Sequence, residues 1–205
     1  MKPSRPCSAS VEVHHVSRNL TIWHCFDQSL KADLYSTALR TENGVYLIDP
    51  ISLSSQAEAD LLAAGKVIAV VVTNGNHARD SACFAKRFAV PIYAGIEAGI
   101  TGVASLASAF LHDEVRVISV DGAGTGEIAL YDQRDGGTMI IGDALVNFGS
   151  HGFTFLPPKY CSHPKRMRKS LRDLSAHSFD RMCFAHGTPI LSHARERLVT
   201  LLDAA

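Results

Sequence analysis

The stretch VVVTNGNHARD, residues 70–80, is where the sequence changes character. Val70, Val71 and Val72 close an apolar run, and Thr73, Asn74, Gly75, Asn76, His77, Ala78, Arg79 and Asp80 follow without another large apolar side chain. A short β-branched run bounded by turn residues reads as a strand buried on both faces. Its end is then a place where polar side chains collect, and their types raise the question of a metal site or of what is left of one.

Working outward, SSQAEADLLAAG reads as a Ser-capped, Gly-ended helix, ARDSACFAKRFA as a second helix, and VPIYAG as a strand. Before them, VEVHHVSRNLTIWHCF and DLYSTALRT carry β-formers in loose alternation, and the turn chemistry of residues 42–44 leads into VYLIDP. Residues 95–109 are rich in Gly and Ala and fit helix or loop equally. Beyond them VRVISVDG, GEIALYDQ and GTMIIGDALV read as strands, with RDGG at 134–137 as a hairpin turn. A Pro-rich loop, FTFLPPKYCSHP, leads to a helix over KRMRKSLRDLSAH, a strand RMCFAHG and a C-terminal helix from about residue 192 to 204. Such alternation predicts an α/β protein whose strands are covered by helices on both faces.

The chain has 205 residues, 46% of them hydrophobic, which is enough for one domain with a sizeable core, drawn here over 8–205. Twenty basic residues balance twenty acidic ones, so no global field draws nucleic acid or anionic lipid. The basic run Lys165, Arg166, Arg168, Lys169 and Arg172 reads as a solvated helix face. No apolar run approaches a bilayer span, and the polar N-terminus lacks the apolar core of a signal peptide, so the expected location is the cytoplasm, with no membrane partner. The five cysteines are widely spaced and never in a C-x-x-C pair, which predicts buried thiols rather than a disulfide framework.

Two motifs fail on inspection. DGAGTGE at 121–127 has Glu127 where G-x-G-x-x-G needs its third glycine, and a strand follows it rather than a helix. Neither a P-loop nor a G-x-S-x-G nucleophile turn is present.

Taken in order, GVYLIDP, VVVTNGNHARD, DGAGTGEIALY with MIIGDALV, and MCFAHGTP resemble the metallo-β-lactamase superfamily over nearly the whole chain. The resemblance implies a four-layer αβ/βα sandwich with one or two metal ions at strand ends between the sheets. Laid on the family's T-H-x-H-x-D-H signature, Thr73 keeps its place, Asn74 and Asn76 replace the first two histidines, and Ala78 and Arg79 replace the aspartate and the last histidine. A further histidine falls on Ala123. Kept are Asp143 and His186 as ligand positions, and Asp49 as the residue that supports the site.

The substitutions set the expectation for function. Carboxamides are poor zinc ligands beside imidazole, and a guanidinium repels a divalent ion. The sequence therefore favours a metal-free or metal-poor relative that binds a small molecule or a partner in a pocket lined by Asn74, Asn76, His77, Arg79, Asp143 and His186. The alternative is a hydrolase of an ester, thioester, lactone or phosphoester, with one zinc, manganese or iron ion on Asp143, His186 and His77 or His151. Arg79 is expected to stand in for a metal by pairing with Asp143 and Asp49. His77 taken alone reads as a partly exposed residue at the start of a helix, and one of the two asparagines as its N-cap. Substrate identity and oligomeric state have no signal in the sequence.

Overall fold

Neighbouring residues in the buried runs point to opposite sides, and this builds the layers. Val45 and Leu47 face one way and Tyr46 and Ile48 the other, and all four are buried. The computed structural model describes residues 9–106, 110–111, 115–149 and 152–204. Its first sheet comprises β1 (His14–His15), β2 (Leu20–Asp27), β3 (Ala32–Arg40), β4 (Val45–Ile48), β5 (Val67–Val72), β6 (Ile92–Gly95) and β7 (Ala104–Leu106), in that order across the sheet. The pairs up to β3·β4 are antiparallel, and those from β4·β5 onward are parallel.

Helices α1 (Ser55–Leu62) and α2 (Ser81–Phe88) cover the outer face of that sheet, where Ala57, Leu61 and Phe84 meet Leu47, Val67 and Val70. The second sheet comprises β8 (Phe110–Leu111), β9 (Val115–Ser119), β10 (Ile128–Asp132), β11 (Thr138–Ile141) and a late strand, Arg181–Phe184. An antiparallel ribbon of β12 (Leu145–Phe148) and β13 (Gly152–Phe155) leaves its end, and the late strand, β14, pairs parallel with β11. Helices α3 (Pro164–Leu174) and α4 (Ala194–Asp203) cover the outer face through Leu171, Leu174 and Leu198, against Met139, Ile141 and Met182. Between the sheets, Ile48, Ala69 and Val71 meet Val117, Leu130 and Ile140. The result is the expected αβ/βα sandwich.

Several local expectations change. Helix α2 begins at Ser81 and its N-cap is Asp80, not an asparagine. Arg79 has φ 38°, which a right-handed helix cannot contain, so residues 74–80 are spent on turns. GTMIIGDALV breaks at Gly142, where a Cβ would lie 2.6 Å from the Thr73 hydroxyl oxygen and 3.0 Å from Glu127 Oε1. Only glycine lets that turn pass so close to the end of β5. The Pro-rich segment begins as β13, and the ambiguous segment contains β7. Cys25 is disulfide-bonded and Cys83 is exposed, so the expectation of buried thiols holds for Cys183, whose burial pushes its pKa up to about 12. No helix among the described residues is long and apolar enough to cross a membrane.

Candidate metal centre

Four strand ends converge. β4 runs out into Asp49, β5 into Thr73, β11 through Gly142 into Asp143, and β14 through Ala185 into His186. The sheets are joined there by the Tyr35 N–H on the Ala185 carbonyl at 2.9 Å, and by a bridge between Leu34 and His186.

Asp49 anchors the arrangement from a left-handed backbone, φ 47°, that few residues with a side chain adopt. Its Oδ1 accepts the Thr73 N–H at 2.8 Å, and its Oδ2 accepts the Thr73 hydroxyl at 2.5 Å. The same Oδ2 faces His77 Nδ1 at 3.0 Å. On the far side of the ring, His77 Nε2 lies 3.1 Å from Asp143 Oδ1. The imidazole, 3% exposed, therefore spans two carboxylates and is not the partly exposed residue that its local sequence suggests.

Charge follows from that position. Burial by itself would strip the proton from His77, but the Asp49 charge and the Asp143 hydrogen bond outweigh it and push the pKa up to about 9. Burial works against ionising Asp143 as well, yet the hydrogen bond and charge of His77 hold it at about 2. Asp49 is also held below its ordinary value against burial, chiefly by the charge of His77. His186, with Nε2 at 3.4 Å from Asp143 Oδ1, is driven down to about 4 by burial and then by the Arg79 charge. It is neutral at working pH, with a lone pair to offer.

Arg79 does not pair with the carboxylates. Its Nη1 donates to the Tyr35 carbonyl at 2.6 Å and the Asp49 carbonyl at 2.9 Å, and its Nη2 to the Ala185 carbonyl at 3.0 Å. Those acceptors belong to β3, the end of β4 and the end of β14, so the guanidinium ties both sheets together at the site. The direct bridge between Asp49 and Asp143 is His77.

The positions that the resemblance gives to a first metal look different. Asn74 is fully buried, and its Nδ2 donates to Glu127 Oε2 at 2.9 Å and to Asp143 Oδ2 at 3.2 Å. Its Oδ1 accepts the Asn76 N–H at 2.9 Å, an Asx turn, while the side chain of Asn76 is exposed. Glu127 Oε1 accepts the Ala144 N–H at 2.8 Å, and burial, followed by the Asp143 charge, lifts its pKa to about 7. Sequence reasoning met Glu127 only as the residue that spoils a glycine motif. The available signal was a carboxylate set beside the apolar run IALY.

Among the described residues, His77, Asp143 and His186 form a group whose potential ligand atoms all lie within 4.8 Å of one another. His112 and His151 lie outside the described residues. Two of the separations, 3.1 and 3.4 Å, match the roughly 3.3 Å edge of a tetrahedral site with bonds of about 2.0 Å. With a proton on Nδ1 facing Asp49, His77 has the carboxylate backing usual for a ligating histidine. The donor set fits one ion. It faces a cleft of about 840 Å³, whose floor includes Asn76, His77, Asp143 and His186 and whose walls include Leu34 and Leu156.

A family model described as metallo-beta-lactamase superfamily matches residues 14–204. Among solved structures, the DIM-1 metallo-beta-lactamase superposes with TM-score 0.73 at 10% identity, covering 95% of this chain and 98% of that one. The metallo beta lactamase from Erythrobacter litoralis, with beta mercaptoethanol in its active site, gives 0.71 at 13% identity over 94% and 96%. FIM-1 from Pseudomonas aeruginosa, in its mono-zinc form, gives 0.71 at 12% identity over 97% of each chain. No curated protein matches.

Proposed function

The chain belongs to the metallo-beta-lactamase superfamily, and on that premise we propose that it is a hydrolase reduced to a single ion, held by His77, Asp143 and His186. The observation that carries this is His77. The sequence supplies two kept ligand positions, short of the three usual for a catalytic zinc, and the fold brings His77 to them from a position outside the family's signature.

An ion must displace the proton that His77 otherwise holds, which at pH 7 costs about 3 kcal/mol for a group of pKa about 9. Zinc, manganese or iron bound there would act as a Lewis acid and lower the pKa of a water molecule. The protein does the rest. Asp49, itself held by Thr73, accepts the Nδ1–H of His77 and aims Nε2 at Asp143. The Arg79 charge helps to keep His186 neutral, and the cleft leaves room beside the three donors for an ester, thioester, lactone or phosphoester.

A second reading, a metal-free protein that binds a small molecule or a partner, is favoured by one observation: the Asp49 and Asp143 carboxylates already face a buried imidazolium, with a guanidinium beside them. Zinc titration in weakly buffered solution near pH 7.5 separates the two. The hydrolase reading expects release of about one proton per ion and hydrolysis of simple esters that chelation abolishes. Absence of both leaves the binding protein.

A further inference from the structure

The cleft does not end at its polar floor. Val146, Phe148, Leu156 and Pro157 line both the 840 Å³ cleft and a second hollow of about 640 Å³ that runs on to Thr154, Pro164 and Met167. The β12·β13 ribbon explains why the two are continuous. Val146 and Phe148 lie two residues apart on one face of β12, and Thr154 is the cross-strand partner of Val146. The opposite face sends Leu145 into the core under α3 and α4 and packs Phe153 against it, while Phe155 both packs against that core and lines the hollow. The outward face of the ribbon is thus the floor of a groove that starts three residues after Asp143.

The groove is apolar where a surface ribbon would ordinarily be polar. Other apolar exposure gathers at the mouth of the cleft: Leu30 is 62% exposed and Tyr160 61%, and both line it. At the far end Arg168 closes the hollow, its guanidinium carbon 5.3 Å from the Phe155 ring centroid. Among the residues lining the hollow, Arg168 carries the only charged side chain.

We infer that the substrate is an acyl ester or thioester whose reacting carbonyl lies at His77, Asp143 and His186 and whose unbranched acyl chain runs along the Val146, Phe148 and Leu156 groove. This rests on the hydrolase reading above. A polar floor that opens into one apolar channel distinguishes a chain-bearing ester from a compact polar substrate, which would leave the channel wet. The reaction is hydrolysis: water adds to the carbonyl, the bond to the alcohol or thiol breaks, and the alcohol or thiol and the fatty acid leave.

The test uses two series on zinc-loaded protein: turnover of p-nitrophenyl esters from acetate to dodecanoate, and calorimetric binding of the matching free carboxylates. Both kcat/KM and carboxylate affinity should rise about twofold per methylene, half the value for complete burial because the groove is open on one side. Thr154→Trp, which fills the groove, should flatten both slopes. Turnover that is independent of length in the wild-type protein would overturn the acyl-chain assignment while the hydrolase reading stands. Carboxylate affinity that rises with length, with no ester turned over, would sink the hydrolase reading and leave the groove as a fatty-acid site.

Discussion

The two halves of the site make opposite use of what they retain. In the Asn74 half, the amide spends its donors on Glu127 and Asp143 and its acceptor on the Asn76 backbone, so nothing is left for an ion. In the His77 half, three donors face one another across a cleft and one of them is backed by a buried carboxylate. On the proposed reading, the Asn74 side chain is taken up by its protein partners, while the His77 half offers an ion three donors.

The largest effect should come from Arg79, which serves both halves by holding the sheets at fixed spacing. Arg79→Ala removes three charge-assisted hydrogen bonds, to the carbonyls of Tyr35, Asp49 and Ala185, and should cost about 3–5 kcal/mol in urea unfolding. A loss under 1 kcal/mol would show that the strand ends hold their places without it.

The charge of the open half can be read through pH in chelated protein. The folded pKa of His77, about 9, lies above the unfolded value near 6.5, so its stabilisation is complete below pH 6.5 and lost as pH rises through 9. The gap amounts to about 3 kcal/mol. Glu127, raised to about 7 from 4.5, also lowers stability as pH rises, but its window closes near pH 7. Unfolding free energies measured from pH 7 to 8.5, below the range in which the buried Cys183 thiol contributes, should therefore fall in the wild-type protein and stay nearly flat in His77→Gln. Parallel curves would remove the imidazolium from the account.

The closed half should respond less. Asn74→Ala leaves Glu127 and Asp143 each short of a donor and should cost about 1–3 kcal/mol, while metal binding in the other half survives. Asn76→Ala, which removes an exposed amide and keeps the backbone N–H that Asn74 accepts, should change stability by no more than about 0.5 kcal/mol. A large loss at Asn76 would mean that its side chain is engaged in a way the structure does not show.

These residues also mark where the sequence stopped being legible. The layers were readable because β4, β5 and β11 are apolar on both faces, and a central strand must be. The family order of the segments placed Asp49, Asp143 and His186 correctly at strand ends. The start of α2 was misplaced because the left-handed Arg79 has no sequence signature. The partners of Arg79 were missed because they are backbone carbonyls, which every residue carries. The role of His77 depends on a carboxylate 66 residues away, and no local pattern records that distance.

The most direct test of the central claim is the metal content of untagged protein, purified without chelator and dialysed against zinc, compared with that of Asn74→Ala and His77→Ala. The account predicts about one ion per chain in the wild-type protein and in Asn74→Ala, and near zero in His77→Ala. A full ion retained without His77, or none in the wild-type protein, would contradict it.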